Sequence, residues 1–279
     1  MWTVFKIEIY KIFKRPRTYI SFAAIGIVVM LIQLALFVDG DTYVDFMLQS
    51  LGNSFQVQGK IMNGYMICYI ILQTIFIHVP LLIAVIGGDM IAGEANMGTL
   101  RVLLTKPVRR SSILFGKYFA TLAYTMMLLC WMAFLSLFVS SVLFGTGDML
   151  IFKSEQIVAL RESDLLWRYF AAFGFAALAM SMVATLSFFL SMFAENSIGP
   201  ISSTMSIVIV FTILSTMDIP FFNAIHPYLF TSHMLGWKGF FDDPVNYNNI
   251  LISVLNLSLH VVIFMLILAW VFKKKDILT

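Results

Sequence analysis

The sequence predicts an all-α integral membrane protein with six transmembrane helices, an N-terminal interfacial amphipathic helix and a cytoplasmic helix between spans 2 and 3. Three observations predict it. Hydrophobic residues make up 60% of the chain and charged residues 12%, with a mean hydropathy of +0.91. Ordinary soluble domains are about 45–50% apolar and about 25% charged. Six apolar stretches, near 18–38, 64–88, 113–144, 167–192, 198–217 and 249–272, are each long enough to cross a ~30 Å hydrocarbon core. Finally, with the N-terminus inside, 13 of the 18 lysines and arginines fall on the cytoplasmic side, as the positive-inside rule requires. An even number of spans places both termini there. The whole of 1–279 reads as one membrane domain.

The elements follow in order. In residues 2–17, Trp2, Phe5, Ile9, Ile12 and Phe13 share one helical face, with Glu8, Lys11, Lys14 and Arg15 opposite. Such a helix is expected to lie on the cytoplasmic leaflet with its lysines over anionic headgroups. The apolar run at 18–38 is too long for a signal-peptide core and lacks a small-residue cleavage site, so it reads as a retained span. The third stretch exceeds what a bilayer needs and is expected to tilt or project. Loops 39–63, 145–166 and 218–248 fall outside, and Asp148–Asp164 reads as a short surface helix. Phe221, Phe222, Tyr228, Phe230, Trp237, Phe240 and Phe241, broken by Pro220, Pro227 and Pro244, predict an interfacial or re-entrant segment. The cytoplasmic turn 193–199 carries one charge, Glu195, and would be a second contact for a cytoplasmic partner.

The longest polar interruption is 89–117, holding Asp89, Glu94, Arg101, Lys106, Arg109, Arg110 and Lys117. Moving even Glu94 and Arg101 to a bilayer centre would cost roughly 5–7 kcal/mol, which keeps the stretch at a membrane surface. Met90–Thr105 reads as one helix, stopped by Pro107 because the residue before a proline is pushed out of the α region. At about 100° per residue Glu94, Arg101 and Thr105 would form one outward stripe. Ser111 or Ser112 can cap the helix that follows.

This segment resembles the cytoplasmic signature of the ABC-2 type transporter permeases. The matching positions are Asp89, Gly93-Glu94, Gly98-Thr99-Leu100, Leu103-Leu104, Pro107, Arg109-Arg110 and Gly116-Lys117. The resemblance implies a coupling helix docked on a separate cytoplasmic ATPase subunit, with ATP and Mg on that partner and no cofactor on this chain. It further implies contacts to the ATPase from Asp89, Gly93, Glu94, Gly98, Thr99, Leu100, Arg101, Pro107, Arg109, Arg110 and Glu195. A second permease copy or homologue would complete the pathway, export would be the commoner direction, and 218–248 would be an external gate. The alternative for that last segment is a simple aromatic belt.

Other chemistry is excluded by motif. No Gly-x-x-x-x-Gly-Lys-Ser/Thr loop, His-Glu-x-x-His or Gly-x-Ser-x-Gly elbow occurs. The reading is therefore of a non-enzyme embedded in lipid without metal or nucleic-acid partners, and the resemblance implies a bacterial cytoplasmic membrane. Cys68 and Cys130 read as unpaired residues of the span interiors. Away from their ends the spans hold no Asp, Glu, Lys or Arg, whereas ion-coupled carriers place ionisable groups near the midplane. Only His78 and His260 lie there as pathway candidates, and both are expected to be neutral and bonded to backbone carbonyls. The alternatives to a permease are an ATP-independent carrier or channel, or a membrane component energising an extracytoplasmic maturation or assembly system.

Overall fold

The computed structural model describes residues 1–49, 62–105, 107–152, 157–217 and 219–274. Helix α1 (Trp2–Lys14) ends at Arg15, whose extended backbone leads into α2 (Pro16–Gln49). Proline opens α2 at no hydrogen-bond cost, because the first amides of a helix have no intrahelical acceptor. The apolar part of α2, Pro16–Gly40, ends at a break at Asp39, one residue past the predicted first span. The second apolar stretch forms two helices, α3 (Gly64–Ile75) and α4 (Val79–Gly87), bent by 52°. Pro80 lies in the first turn of α4, where it cannot donate to the turn before and so forces the break. Asn63 caps α3 by accepting from the Met66 amide at 3.0 Å.

The third stretch is the 35-residue run Arg110–Phe144. It comprises α7 (Arg110–Ala133), a π-helical segment Phe134–Val139, and α8 (Ser140–Phe144). At 1.5 Å per residue it is about 50 Å long, well beyond one hydrocarbon core. Buried Gln33 of α2 donates to the Leu135 carbonyl at 3.0 Å and the Ser140 hydroxyl at 2.9 Å. A widened turn needs an outside donor of this kind where no water can supply one.

Where a surface helix was expected over 148–164, the chain instead forms an antiparallel hairpin, β1 (Met149–Phe152) with β2 (Ile157–Leu160). Met149, Ile151, Val158 and Leu160 are buried, the period-two pattern of a strand. The helical signal belongs only to Glu162 onward, where α9 (Glu162–Ser191) starts with its first acidic residues at the positive helix end.

Helix α9 is the spine. It packs against α4, α7, α10 (Ile198–Thr216) and α13 (Tyr247–Lys274). Its buried Ala176, Ala179, Ala184 and Ser187 allow close helix approach, and the Ser187 hydroxyl donates to the Ala84 carbonyl at 3.0 Å. Cys68 is buried as expected, but Cys130 sits exposed on the outer helix surface rather than in a core.

The aromatic segment folds into α11 (Pro220–Asn223), a 3₁₀ turn at His226–Tyr228, α12 (Phe230–Met234) and a 3₁₀ turn at Leu235–Phe241. Phe230, Trp237 and Phe241 are buried, whereas Phe221 and Tyr228 are more than 70% exposed. Its irregular carbonyls are satisfied by side chains. Arg168 donates to Phe240 O (2.9 Å) and Asp242 O (2.7 Å), and Asn256 donates to Pro227 O (2.9 Å). Among the described residues, five helices are long and apolar enough to cross a membrane, and the bent α3–α4 pair makes a sixth if it is one span. The architecture is that of a helical, multi-pass membrane protein.

Candidate functional site

The polar segment is not one helix. It forms α5 (Asp89–Asn96) and α6 (Thr99–Leu104), separated at Met97–Gly98, with Gly98 at φ +69°. That left-handed turn is open to glycine without strain. It also breaks the single helix on which Glu94 and Arg101 were expected to form one stripe. The side chains of Leu100 and Arg101, and all of Lys106, lie outside the described residues.

Glu94 corrects the sequence expectation most sharply. It is buried, and its carboxylate meets Lys11 Nζ at 2.7 Å and Lys117 Nζ at 2.8 Å. Glu8 of α1 meets the same two ammonium groups, at 2.9 and 3.1 Å. Lys117, only 1% exposed, is thus enclosed by two carboxylates. The reason lies in α1. Its predicted polar face, with Glu8, Lys11 and Arg15, turns toward α5 and α7, and Trp2 and Tyr10 are left exposed. Gly116 permits this docking, since a Cβ there would lie 2.7 Å from Val4 Cγ1.

A second group of ion pairs adjoins the first. Asp89 at the start of α5 pairs with Arg15 and with Arg17 (2.7 Å) and accepts from the Ser197 hydroxyl. Gly93 is needed one turn on, because a Cβ would collide with the Asp89 carboxylate. The Ser191 hydroxyl accepts from the amides of Ile91 (3.1 Å) and Ala92 (2.9 Å), which as first-turn donors have no partner within α5. A gap of about 10 Å³, lined by Glu8, Lys11, Ile12, Arg15, Asp89, Met90 and Glu94, lies between the two groups and is barely large enough for one water.

Helix α5 is therefore clamped on three sides, by α1, α7 and the turn after α9. The elbow beyond it is bare. Ala95 through Thr99, Val102, Thr105, Pro107, Val108, Arg109 and Arg110 are exposed, with Met97 at 57% and Val102 at 62%. Thr99 turns back to donate to the Glu94 carbonyl at 3.3 Å. Glu195 is exposed at the same end, two residues before Ser197. His78 and His260 stand apart from this cluster. Each bonds through Nδ1 to the carbonyl four residues earlier, Thr74 at 3.0 Å and Asn256 at 2.9 Å.

Sequence reasoning missed Glu8, Lys11, Arg15, Arg17 and Lys117 as one cluster. A usable signal was present in Lys117, seven residues into a helix whose other charged residue is Arg110 at its very start. Such a lysine, unable to snorkel, needs carboxylates close by.

The cluster sets a pH dependence. Burial works against the charge of Glu94, yet Lys117 and Lys11 outweigh it and hold the carboxyl below its ordinary 4.5. Burial likewise opposes the charge of Lys11, but hydrogen bonds to Glu94 and Glu8 raise it above 10.5. The depressed carboxyl contributes stability above its unfolded pKa that is lost as pH falls through the folded one. The raised lysine contributes fully below its unfolded pKa and loses that as pH climbs through the folded value. Thermal unfolding in detergent is therefore expected to be flat between about pH 5 and 9 and to fall steeply in acid. The acid limb should be shallower in Glu94→Gln. Superimposable profiles would rule out this coupling.

Residues 26–278 match a family described as a protein of unknown function, DUF2705. The chain belongs to that family. It is also 24% identical over 199 residues to the uncharacterized protein YhcI of Bacillus subtilis strain 168. That alignment covers 69% of this chain and 63% of the relative, so the chain spans less than two thirds of the relative's length.

Proposed function

We propose that this chain is the transmembrane subunit of an ABC-2 type transporter, with six spans, both termini in the cytoplasm and a separate ATPase supplying the energy. The observation that carries the reading is the exposed elbow 95–110 built on an ion-paired base. The elbow stands between the bent second span and the long third one. A push on it is transmitted to α4 and α7, because α5 is fixed to both sides of that junction and has little freedom to move alone. Spans without interior Asp, Glu, Lys or Arg agree with energy entering from outside the membrane.

The contact residues change in consequence. Glu94 and Asp89 hold the base, and the ATPase would meet Met97, Val102, Pro107, Arg109 and Arg110, with Glu195 beside them. Two exposed apolar side chains, Met97 and Val102, with exposed Arg109 and Arg110 further along the elbow, fit a docking knob. A second copy or homologue would line the pathway, and the packed aromatic segment 220–241 would close its outer end.

The span reading is tested by labelling whole cells with an impermeant thiol reagent, in a background lacking Cys68 and Cys130. A cysteine at Asn246 should react and one at Ser111 should not, and the reverse pattern would end the six-span reading. Residues 50–61 and 153–156 of the other two predicted external loops lie outside the described residues. The ATPase reading is tested by co-isolation with elbow variants. His78→Gln and His260→Gln should leave the pH profile of transport unchanged, and a profile shifted between pH 5 and 8 would favour a proton-linked carrier.

A further inference from the structure

At the end of the molecule that carries α1, α5 and the start of α7, the ion cluster has an effect on the outer surface. It buries three of the acids there, Glu8, Asp89 and Glu94, against cations. Among the described residues of this end, Glu195 is the exposed acid. Among the described residues outside the elbow, four cations remain exposed there: Lys6 and Lys14 on α1, and Lys273 and Lys274 ending α13. The two sets sit on either side of the start of α7. Gly116 receives Val4 of α1, and Arg110 Nη1 reaches the Lys273 carbonyl at 3.5 Å.

The cations are interleaved with exposed aromatic rings. Lys6 lies 5.5 Å from the Trp2 ring, Lys14 lies 5.3 Å from Tyr10, and Lys274 lies 4.1 Å from Trp270. Trp2, Tyr10 and Trp270 are each about 60% exposed. Amphipathic rings beside lysines mark headgroup depth, where the ring meets the acyl boundary and the ammonium meets phosphate.

We propose that this face is a docking surface for the headgroups of anionic phospholipids, and that their binding holds α1 against α7 and so keeps the Glu8–Lys11–Glu94–Lys117 cluster assembled. Charge complementarity selects the partner: the face is cationic because the fold has hidden its acids, and an anionic leaflet attracts each exposed lysine or arginine. Helix α1 is then gripped from two sides. Glu8 and Lys11 face the protein, and Lys6 and Lys14 face the lipid. The inference rests on this end facing the cytoplasmic leaflet and is independent of the ATPase assignment.

The test is amide hydrogen exchange over residues 2–14 with the whole chain in nanodiscs. One set contains phosphatidylcholine alone, and the other contains phosphatidylcholine mixed with phosphatidylglycerol. Exchange in α1 should slow on the order of tenfold in the anionic discs, and high salt should abolish the difference. The triple variant Lys6→Gln, Lys14→Gln, Lys274→Gln leaves the ion cluster intact and should lose the difference. Equal exchange in both lipids, or a triple variant that responds fully, would overturn the proposal. So would a response reproduced by free inorganic phosphate in phosphatidylcholine discs, which would mark a site for the soluble anion. The thiol-labelling experiment reports separately on whether this end is cytoplasmic.

Discussion

Glu94→Ala is expected to lower the unfolding free energy by about 3–5 kcal/mol, the usual cost of stripping one partner from a buried ion pair. Lys117 is 1% exposed and would keep only Glu8, at 3.1 Å, as a countercharge. Lys11 would also lose its 2.7 Å contact and with it one tie between α1 and α5. The double variant Glu94→Ala, Lys117→Met should recover much of the loss, because removing both charges leaves neither one uncompensated in a desolvated site. Denaturant unfolding of detergent-solubilised protein measures both. A single variant within about 1 kcal/mol of the parent would mean that the two groups are solvated and not paired.

Gly64→Ala is expected to cost about 3 kcal/mol, the upper end of the ordinary overpacking range. An added Cβ would stand 2.5 Å from Ser141 Cα, 2.6 Å from its amide nitrogen and 2.7 Å from the Ser140 carbonyl carbon. These are backbone atoms, so no rotamer change relieves the clash, and α3 must move away from α8. The Gly64 amide would then lose its 2.8 Å hydrogen bond to the Gly145 carbonyl. Gly174 in α9 is the control, since nothing lies within 4 Å of its added Cβ. Alanine there should be neutral or slightly stabilising through helix propensity. Equal effects at the two glycines would contradict the packing of α3 on α8.

The helical elements were legible because length and hydropathy report directly on membrane crossing. The break at Asp39 follows from where charge first appears, whereas α9 starts at Glu162, ahead of the predicted span at 167–192. The strands at 149–160 were not legible as such, because an apolar run of four residues has no period long enough to separate strand from helix. The bend between α3 and α4 was signalled by Pro80, yet its size depends on packing against α9. At the site, Pro107, Arg109, Arg110 and Glu195, expected as contacts for a cytoplasmic partner, are exposed, whereas Glu94, expected as another, is buried. A glutamate at a membrane surface is ordinarily read as solvated, and only the docking of α1, about eighty residues earlier, converts it into an interior group. Gly116 and Lys117 together held that information: a residue small enough to admit another helix, followed by a cation that the incoming helix must neutralise.

The proposed engagement of a separate ATPase by the elbow above this cluster is open to direct test. The direct measurement is ATP hydrolysis in the complex isolated, by a tag on this chain, from the membranes of its own host. Vanadate-sensitive hydrolysis is expected to co-isolate with the parent chain and with Lys6→Gln. Met97→Asp combined with Val102→Asp should cut it by tenfold or more, since it places charge in an apolar contact while leaving the buried base intact. Hydrolysis absent from the parent isolate, or unchanged by the elbow variant, would contradict it.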